Sequence, residues 1–492
     1  MAAHRDGKYD LITSLVFLLL AVLPLLLGSC QQSPNIVSPG PVTDIGPRPD
    51  HGRLQDGASP LDASSPRLDG PQVATGPCQG YTLMAAPAPN ASWDQQVTLV
   101  DMEGNVVHQW SIFGMPAIML PGGVLLGSGE QHPDSGVLVQ DAVEVLQVDW
   151  FSKRQWVFTG WDADGGETIM ARQHHDLQRE GNPVGYYAPG QDFNLTGKTL
   201  ILAHKTRLVT AVSNKKLTDD VIYEVGWGGK LTGFEWFAAD HVDQMGFDHE
   251  ARKAVYKDPR FSKVRGTGDW LHTNAMSTLG RNRWYEKDGD RRFHPDNILI
   301  SSRDANFIAI IERATGNIVW RVGPDMGPGT IYSKLGQFVG QHHAHMIPHG
   351  LPGAGNILVF DNGSASGYGG SSGYPKYTRQ YSRVLEFNPV TLEKVWQYGE
   401  ATGPTAFFSY FISSAQRLPN GNTLINSGAD GVMFEVTPAK KTVWRYVSKS
   451  TNAWGRNFVY RAYRVPPEWL PEGVDPGQYT PWHVAYPANS AR

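Results

Sequence analysis

Ala314-Thr-Gly-Asn-Ile-Val-Trp320 sets a turn, a short β-favouring run and a tryptophan in that order. The same unit returns as Gly104-Asn-Val-Val-His-Gln-Trp110, Lys153-Arg-Gln-Trp156, Thr232-Gly-Phe-Glu-Trp236, Leu392-Glu-Lys-Val-Trp396 and Lys440-Lys-Thr-Val-Trp444. A second unit alternates with it, an apolar residue, a Gly- or Asn-rich turn and an apolar strand. Its copies include Leu120-Pro-Gly-Gly-Val-Leu-Leu126, Pro295-Asp-Asn-Ile-Leu-Ile300, Gly355-Asn-Ile-Leu-Val-Phe360 and Leu418-Pro-Asn-Gly-Asn-Thr-Leu-Ile425. Two hairpin signatures per repeat, six times over, predict an all-β, six-bladed β-propeller across residues 78–470. Each blade then has about 65 residues, long against the roughly 40–50 of common propeller repeats. The surplus is expected in loops such as 180–200 and 241–268. The six tryptophans read as blade-packing residues.

The composition agrees. The chain has 492 residues, 54 Gly, 34 Pro, 15 Trp and 11% aromatics, which favours turns and strands over helices. Lys and Arg number 43 against 47 Asp and Glu, a net charge of −4, so no basic field exists to attract nucleic acid. The two cysteines, Cys30 and Cys78, exclude a disulfide scaffold and a Cys-rich zinc site.

Residues 1–29 read as an address. Arg5 and Lys8 precede an apolar run from Leu11 to Leu27, and Leu27-Gly28-Ser29-Cys30 resembles a bacterial lipobox. On that reading Cys30 is lipidated and anchors the chain to a membrane of the bacterial envelope. Gln31 after the cysteine favours, by resemblance, the outer membrane. A single transmembrane anchor is the alternative, and either places the bulk of the chain outside the cytoplasmic membrane. From 30 to 77 the chain is rich in Pro, Ser and Gly. The nine prolines of 31–77, with no aromatic residue, predict a disordered tether. Residues 471–492 read as a tail.

The segments between each tryptophan unit and the next apolar hairpin are candidate inner strands lining a central channel. They are 115–120, 172–177, 270–276, 341–346, 413–418 and 459–464. Three successive ones carry histidines near matching positions: His174 or His175, His272, and His342. Strict alternation sends His342, Ala344 and Met346 to one face and His343 and His345 to the other. The pattern disfavours a histidine metal site, because only Asp176 stands near these histidines in a ligand-like spacing. No metal or cofactor is expected. The polar residues His241, Asp243, Asp248, His249 and Glu250 read as an exposed loop.

These segments carry a resemblance. Trp270-Leu-His272-Thr-Asn274, Gln341-His342 with Phe360-Asp-Asn-Gly363, and Tyr381-Ser-Arg383-Val-Leu-Glu386 are similar to the bacterial arylsulfate sulfotransferases. Gln416 to Ile425, Phe434-Glu-Val436 and His174-His-Asp176 support the likeness. It implies a six-bladed propeller that moves a sulfuryl group from an aryl sulfate to a phenol without a nucleotide. It further implies His272 and His342 as catalytic histidines, and Arg383 as the residue that holds the sulfuryl oxygens. His174, His175, His343, Asn274 and Arg461 are second-tier candidates. A neutral imidazole would take the group as an N-sulfo intermediate, giving ping-pong kinetics. The family's last-blade nucleophilic histidine is matched here by Val459, which cannot do that work. Another histidine must replace it, or transfer is direct, or the chain is a noncatalytic propeller that binds a ligand or an envelope protein. Ala314 to Trp320 alone also resembles the tryptophan-docking repeat of quinoprotein dehydrogenases, which the other five copies fit poorly.

Overall fold

A computed structural model describes residues 76–87, 95–110, 112–129, 141–162, 169–259, 262–264, 267–370 and 373–474. The expected signal peptide, Cys30, most of the expected tether and most of the expected tail lie outside the described residues. Within them the sequence folds as six antiparallel blades in a ring, a β-propeller as expected. Five blades have four strands each. The third is enlarged: Ser262–Val264 and Thr267–Asp269 add to its sheet, with Thr267–Asp269 parallel to Leu217–Val225. The first blade closes the ring. Its inner strand, Ala462–Val465, comes from the far end of the chain and pairs antiparallel with Tyr81–Pro87, with Val465 opposite Tyr81 and Ala462 opposite Met84.

The six inner strands are Ala117–Leu120, Gln173–Arg179, Thr273–Thr278, His342–Met346, Ser414–Arg417 and Ala462–Val465. Each overlaps a segment read from the sequence as inner, and Gln173–Arg179, Thr273–Thr278 and Ala462–Val465 run one or two residues past its end. They are buried along their length, apart from Thr278, because both faces meet neighbouring blades. The surplus length sits where expected, with one correction. Residues 241–268 are not a plain loop: His249–Lys257 is an α-helix, N-capped by Asp248 through the backbone N–H of Ala251 at 2.7 Å.

All six repeat tryptophans lie on the outermost strand of their blade, in Val106–Trp110, Arg154–Phe158, Leu231–Phe237, Ile318–Val322, Lys394–Tyr398 and Thr442–Val447. Five of them make one and the same bond. Each indole N–H donates to a backbone carbonyl in the last hairpin turn of the next blade. The pairs are Trp110 to Asp149 at 3.3 Å, Trp236 to Gly316 at 2.9 Å, and Trp320 to Pro389 at 2.9 Å. Trp396 reaches Pro438 at 3.0 Å, and Trp444 reaches Met102 at 2.8 Å, which carries the bond across the closing seam. Trp156 makes no such bond among the described residues. It stacks on Trp227 of the next blade instead, with Arg179 over its face at 5.0 Å. A tryptophan on each rim therefore combines apolar burial with a directed polar contact between blades.

Replacing Trp320 by Ala should cost about 3–5 kcal/mol, the usual range for deleting a buried aromatic. Replacing it by Phe should cost less, keeping most of the packing and losing one hydrogen bond of about 1 kcal/mol. Urea denaturation of the two variants checks the order. A Trp320→Ala variant as stable as the parent contradicts the interblade role.

Candidate active site

The inner strands do not run straight into the channel. His175, His272 and His343 have φ near +50°, and Ser413 has φ +93°. Left-handed backbone is uncommon for residues with a side chain. Here it recurs at the head of four successive inner strands. Register shifts accompany it between Gln173 and Leu177, Thr273 and Ala275, and His342 and His345. A bulge at the start of this strand takes His342 out of the expected alternation, while Ala344 and Met346 remain together in one apolar cluster. His343 and His345 do stay together, with ring centroids 4.6 Å apart.

His272 is held by Asp269, whose Oδ2 lies 2.5 Å from Nδ1 and whose Oδ1 accepts the His272 backbone N–H at 3.1 Å. Burial disfavours the imidazolium, but the Asp269 and Asp304 carboxylates outweigh it and raise the His272 pKa. With Nδ1 on the carboxylate, chemistry at this ring passes through Nε2. Its side chain is 12% exposed, against 0% for that of His174.

His342 sits in the opposite setting. Its Nδ1 faces two acceptors, Oδ1 of Asn362 at 2.7 Å and the Gly340 carbonyl at 3.1 Å. The amide of Asn362 donates to the carbonyls of Ser409 and Ile412, each at 2.8 Å, which fixes its oxygen toward the histidine. Nδ1 of His342 therefore carries the proton, and Nε2 carries a lone pair. Burial, the Arg303 charge and the His272 charge hold its pKa well below the ordinary imidazole range. The pair thus has separated roles, one ring favouring a proton and one refusing it.

Arg383 does not join them. Its Nε donates to Asp361 Oδ2 at 2.8 Å, Nη1 to the Leu335 carbonyl, and Nη2 to those of Gly336 and Gln337. Its planar fork is committed to a loop, so the expectation that it presents that fork to an anion is not met by this geometry. Arg303 is the arginine beside the two histidines. Its backbone N–H donates to the His272 carbonyl at 3.2 Å, and its charge acts on both rings. Nη1 of Arg303 bonds Asp304 at 2.6 Å, and burial raises the Asp304 carboxyl to about 7.

The second-tier residues are also near the axis. Arg461 forks onto both oxygens of Asp176, at 3.1 and 3.0 Å, and reaches the Asn274 carbonyl at 2.7 Å. The Asn274 amide donates to the Gln341 carbonyl at 2.8 Å, tying the fourth blade to the fifth. His343 and His345 are neutral packing residues: His343 Nδ1 accepts the Ala415 N–H, and His345 lies between the His343 carbonyl and the Tyr186 hydroxyl. His175 meets His272 edge to face at 4.6 Å and His174 through a 2.8 Å Nδ1–Nδ1 contact. Val459 is wholly buried, in an apolar cluster with Met84, Met433 and Ala462. The segment leading into the ring-closing strand contributes its next two residues instead. The Tyr460 hydroxyl donates to the His175 carbonyl at 2.7 Å, and Arg461 makes the pair with Asp176.

Sequence reasoning missed Asp269, Arg303, Asp304, Asn362, Tyr460, His204 and Asp220. His204 and Asp220 lie on second and third strands of the enlarged blade, within the runs Leu-Ile-Leu-Ala-His204 and Asp219-Asp220-Val-Ile-Tyr. A charged residue inside a buried strand is unusual, and that was the available signal. Here they pair with one another, and His204 also with Asp141.

The model of the family described as Arylsulfotransferase (ASST) matches residues 191–460, more than half of the 492-residue chain. Several solved structures resemble the fold. A protein of unknown function from Bacteroides caccae is 10% identical with a TM-score of 0.41, over 79% of this chain and 99% of that one. The Cps50 (Swd1) β-propeller domain of Myceliophteria thermophila is 10% identical with a TM-score of 0.36, over 76% and 88%. The quinohemoprotein alcohol dehydrogenase ADHIIG of Pseudomonas putida HK5 is 12% identical with a TM-score of 0.32, over 77% and 68%. No curated protein matches the chain. The matched family stretch runs through the strands and loops that bear His272, Arg303, His342, Asn362 and Tyr460, and the chain belongs to the arylsulfotransferase family, whose chemistry is sulfuryl transfer.

Proposed function

We propose that this chain moves a sulfuryl group from an aryl sulfate to a phenol without a nucleotide, with His342 as nucleophile and His272 as acid and base. The observation that carries the assignment is the opposed protonation of the two rings: Asp269 favours the charge on His272, while burial and Arg303 disfavour it on His342, whose Nδ1–H tautomer Asn362 fixes. In the first step the lone pair on His342 Nε2 attacks sulfur and an N–S bond forms. The S–O bond to the aryl oxygen breaks, and His272 Nε2–H gives that oxygen its proton. In the second, neutral His272 takes the acceptor phenol's proton while its oxygen attacks sulfur and the N–S bond breaks. His342 leaves as it began, and His272 regains its proton. Arg303, adjacent to both rings, stabilises charge on the sulfuryl oxygens. His342 thereby supplies the nucleophile that Val459 does not.

A chromogenic aryl sulfate with phenol, and no nucleotide, should release the chromogenic phenol. Removing the leaving-group acid in His272→Ala should lower kcat/KM by roughly 10²–10⁴-fold. Mass spectrometry after donor alone should find a sulfuryl adduct on the peptide bearing His342. The acid limb of kcat/KM should lie well below the ordinary imidazole pKa, since His342 is needed neutral. The basic limb should lie above it, since His272 is needed charged. No phenol release from any aryl sulfate points to the noncatalytic, ligand-binding propeller. Turnover with an adduct on another histidine removes His342 from the role.

The lipobox Leu27 to Cys30 supports a further part of the reading, an envelope enzyme tethered by lipid at Cys30, on the outer membrane. Cys30→Ala should move the protein from the membrane to the soluble fraction of cells expressing it. Retention in the membrane contradicts the anchor.

A further inference from the structure

We propose that His174, His204 and Asp220 bind a divalent transition-metal ion of the zinc class, buried in the third blade behind the catalytic histidines. The three side chains come from three adjacent strands, Gln173–Arg179, Thr199–Arg207 and Leu217–Val225. Both histidines are 0% exposed and Asp220 is 1% exposed. Their candidate ligand atoms all lie within 4.8 Å of one another. His174 Nε2 is 3.2 Å and His204 Nε2 is 3.4 Å from the same Asp220 Oδ1. Four-coordinate zinc with bonds of about 2.0–2.1 Å separates its ligand atoms by roughly 3.3 Å.

The second observation is independent of that spacing. His174 Nε2, His204 Nε2 and Asp220 Oδ1 are each buried with no hydrogen-bond partner among the described residues. The separations to Asp220 are those of an ion pair, but the geometry is not that of a hydrogen bond. A buried polar atom left unpartnered costs about 1–3 kcal/mol, and three that converge on one point call for a shared occupant.

The far side of each group is already engaged. His204 Nδ1 meets Asp141 Oδ1 at 2.7 Å, and Asp141 is paired with Arg172. Nδ1 of His174 meets His175 Nδ1 at 2.8 Å, and Asp220 Oδ2 accepts the Thr273 N–H at 3.0 Å. A carboxylate on the outer nitrogen orients a metal-binding imidazole and makes its Nε2 a better donor. Two imidazoles and a carboxylate suit zinc among common ions and suit calcium or magnesium poorly. The rings stack at 3.5 Å and 11°, so a loaded site requires them to splay by side-chain rotation. The Asp269 carboxylate, 4.0 Å from His204 Nε2, adds negative charge at the same spot. The ion has a structural part: it joins three strands of one blade and, through Asp220, the head of the next inner strand.

The test uses the intact protein, expressed with zinc supplied and exhaustively dialysed. Metal analysis should find stoichiometric zinc, and X-ray absorption should show two imidazole nitrogens with the remaining ligands oxygen. Chelation should lower the thermal midpoint, and zinc should restore it. Asp220→Asn and His204→Gln should lose the metal, while His342→Ala, outside the trio, should keep it. If those two variants fail to fold, the ligand count on the parent protein decides alone. Absence of zinc from parent protein expressed with zinc supplied overturns the proposal, leaving a proton shared among Asp141, His204 and Asp220. A zinc with sulfur, or with a number of imidazoles other than two, overturns it as well. The metal result is independent of the sulfuryl-transfer assay, so either can fail alone.

Discussion

Ring closure is the constraint on which the rest of this structure depends. A blade is a small sheet with both faces apolar, and it is stable only between two others. The chain meets that demand with the indole bond from each outer strand to the next blade's last turn, repeated at five of six junctions. The strand Ala462–Val465 then seals the ring against Tyr81–Pro87. Once six blades close, six inner strands must converge on one axis, and residues hundreds of positions apart become neighbours. Tyr460 on His175 and Arg461 on Asp176 show this directly.

Convergence brings polar groups into a region with little water. There each charge needs a partner, and the arrangement of partners sets chemistry. Asp269 holds His272 toward its charged form, while burial and the Arg303 charge keep His342 neutral, with Asn362 fixing which nitrogen bears the proton. The left-handed kinks at His175, His272 and His343 belong to the same economy of space. They turn the backbone at the channel head, where a straight strand would pass its side chains by. Such backbone is retained because the surrounding blades over-determine it.

The sequence made the ring legible because its signal is periodic. Each tryptophan follows a turn, and each apolar hairpin follows an inner strand, so six repeats check one another. His272 and His342 stand out in the sequence because one immediately precedes an inner strand and the other begins one. Asp269 and Asp220 do not, because they belong to a strand end and to the third strand of the enlarged blade, whose proximity is created by closure, and Asn362 stands inside the Phe360 to Gly363 motif without a role. Alternation held from His343 to Met346 and failed at His342, because a bulge shifts the register there, which no two-residue period can announce. Arg383 matched a family motif by sequence, yet Asp361 and three loop carbonyls occupy its donors. Motif position located the loop but not where the guanidinium would spend its hydrogen bonds. A valine at 459 can neither take a sulfuryl group nor carry a proton, and its side chain is buried with Met84 and Met433.

A crystal structure with an aryl sulfonate, an unreactive stand-in for the donor, tests the central claim most directly. The account predicts the sulfonate at the axis, with its oxygens beside Arg303 and its sulfur in line with His342 Nε2. The His272 Nε2 should lie on the side of the aryl group. A sulfonate seated on the outer surface, or held by Arg383 away from both histidines, would contradict it.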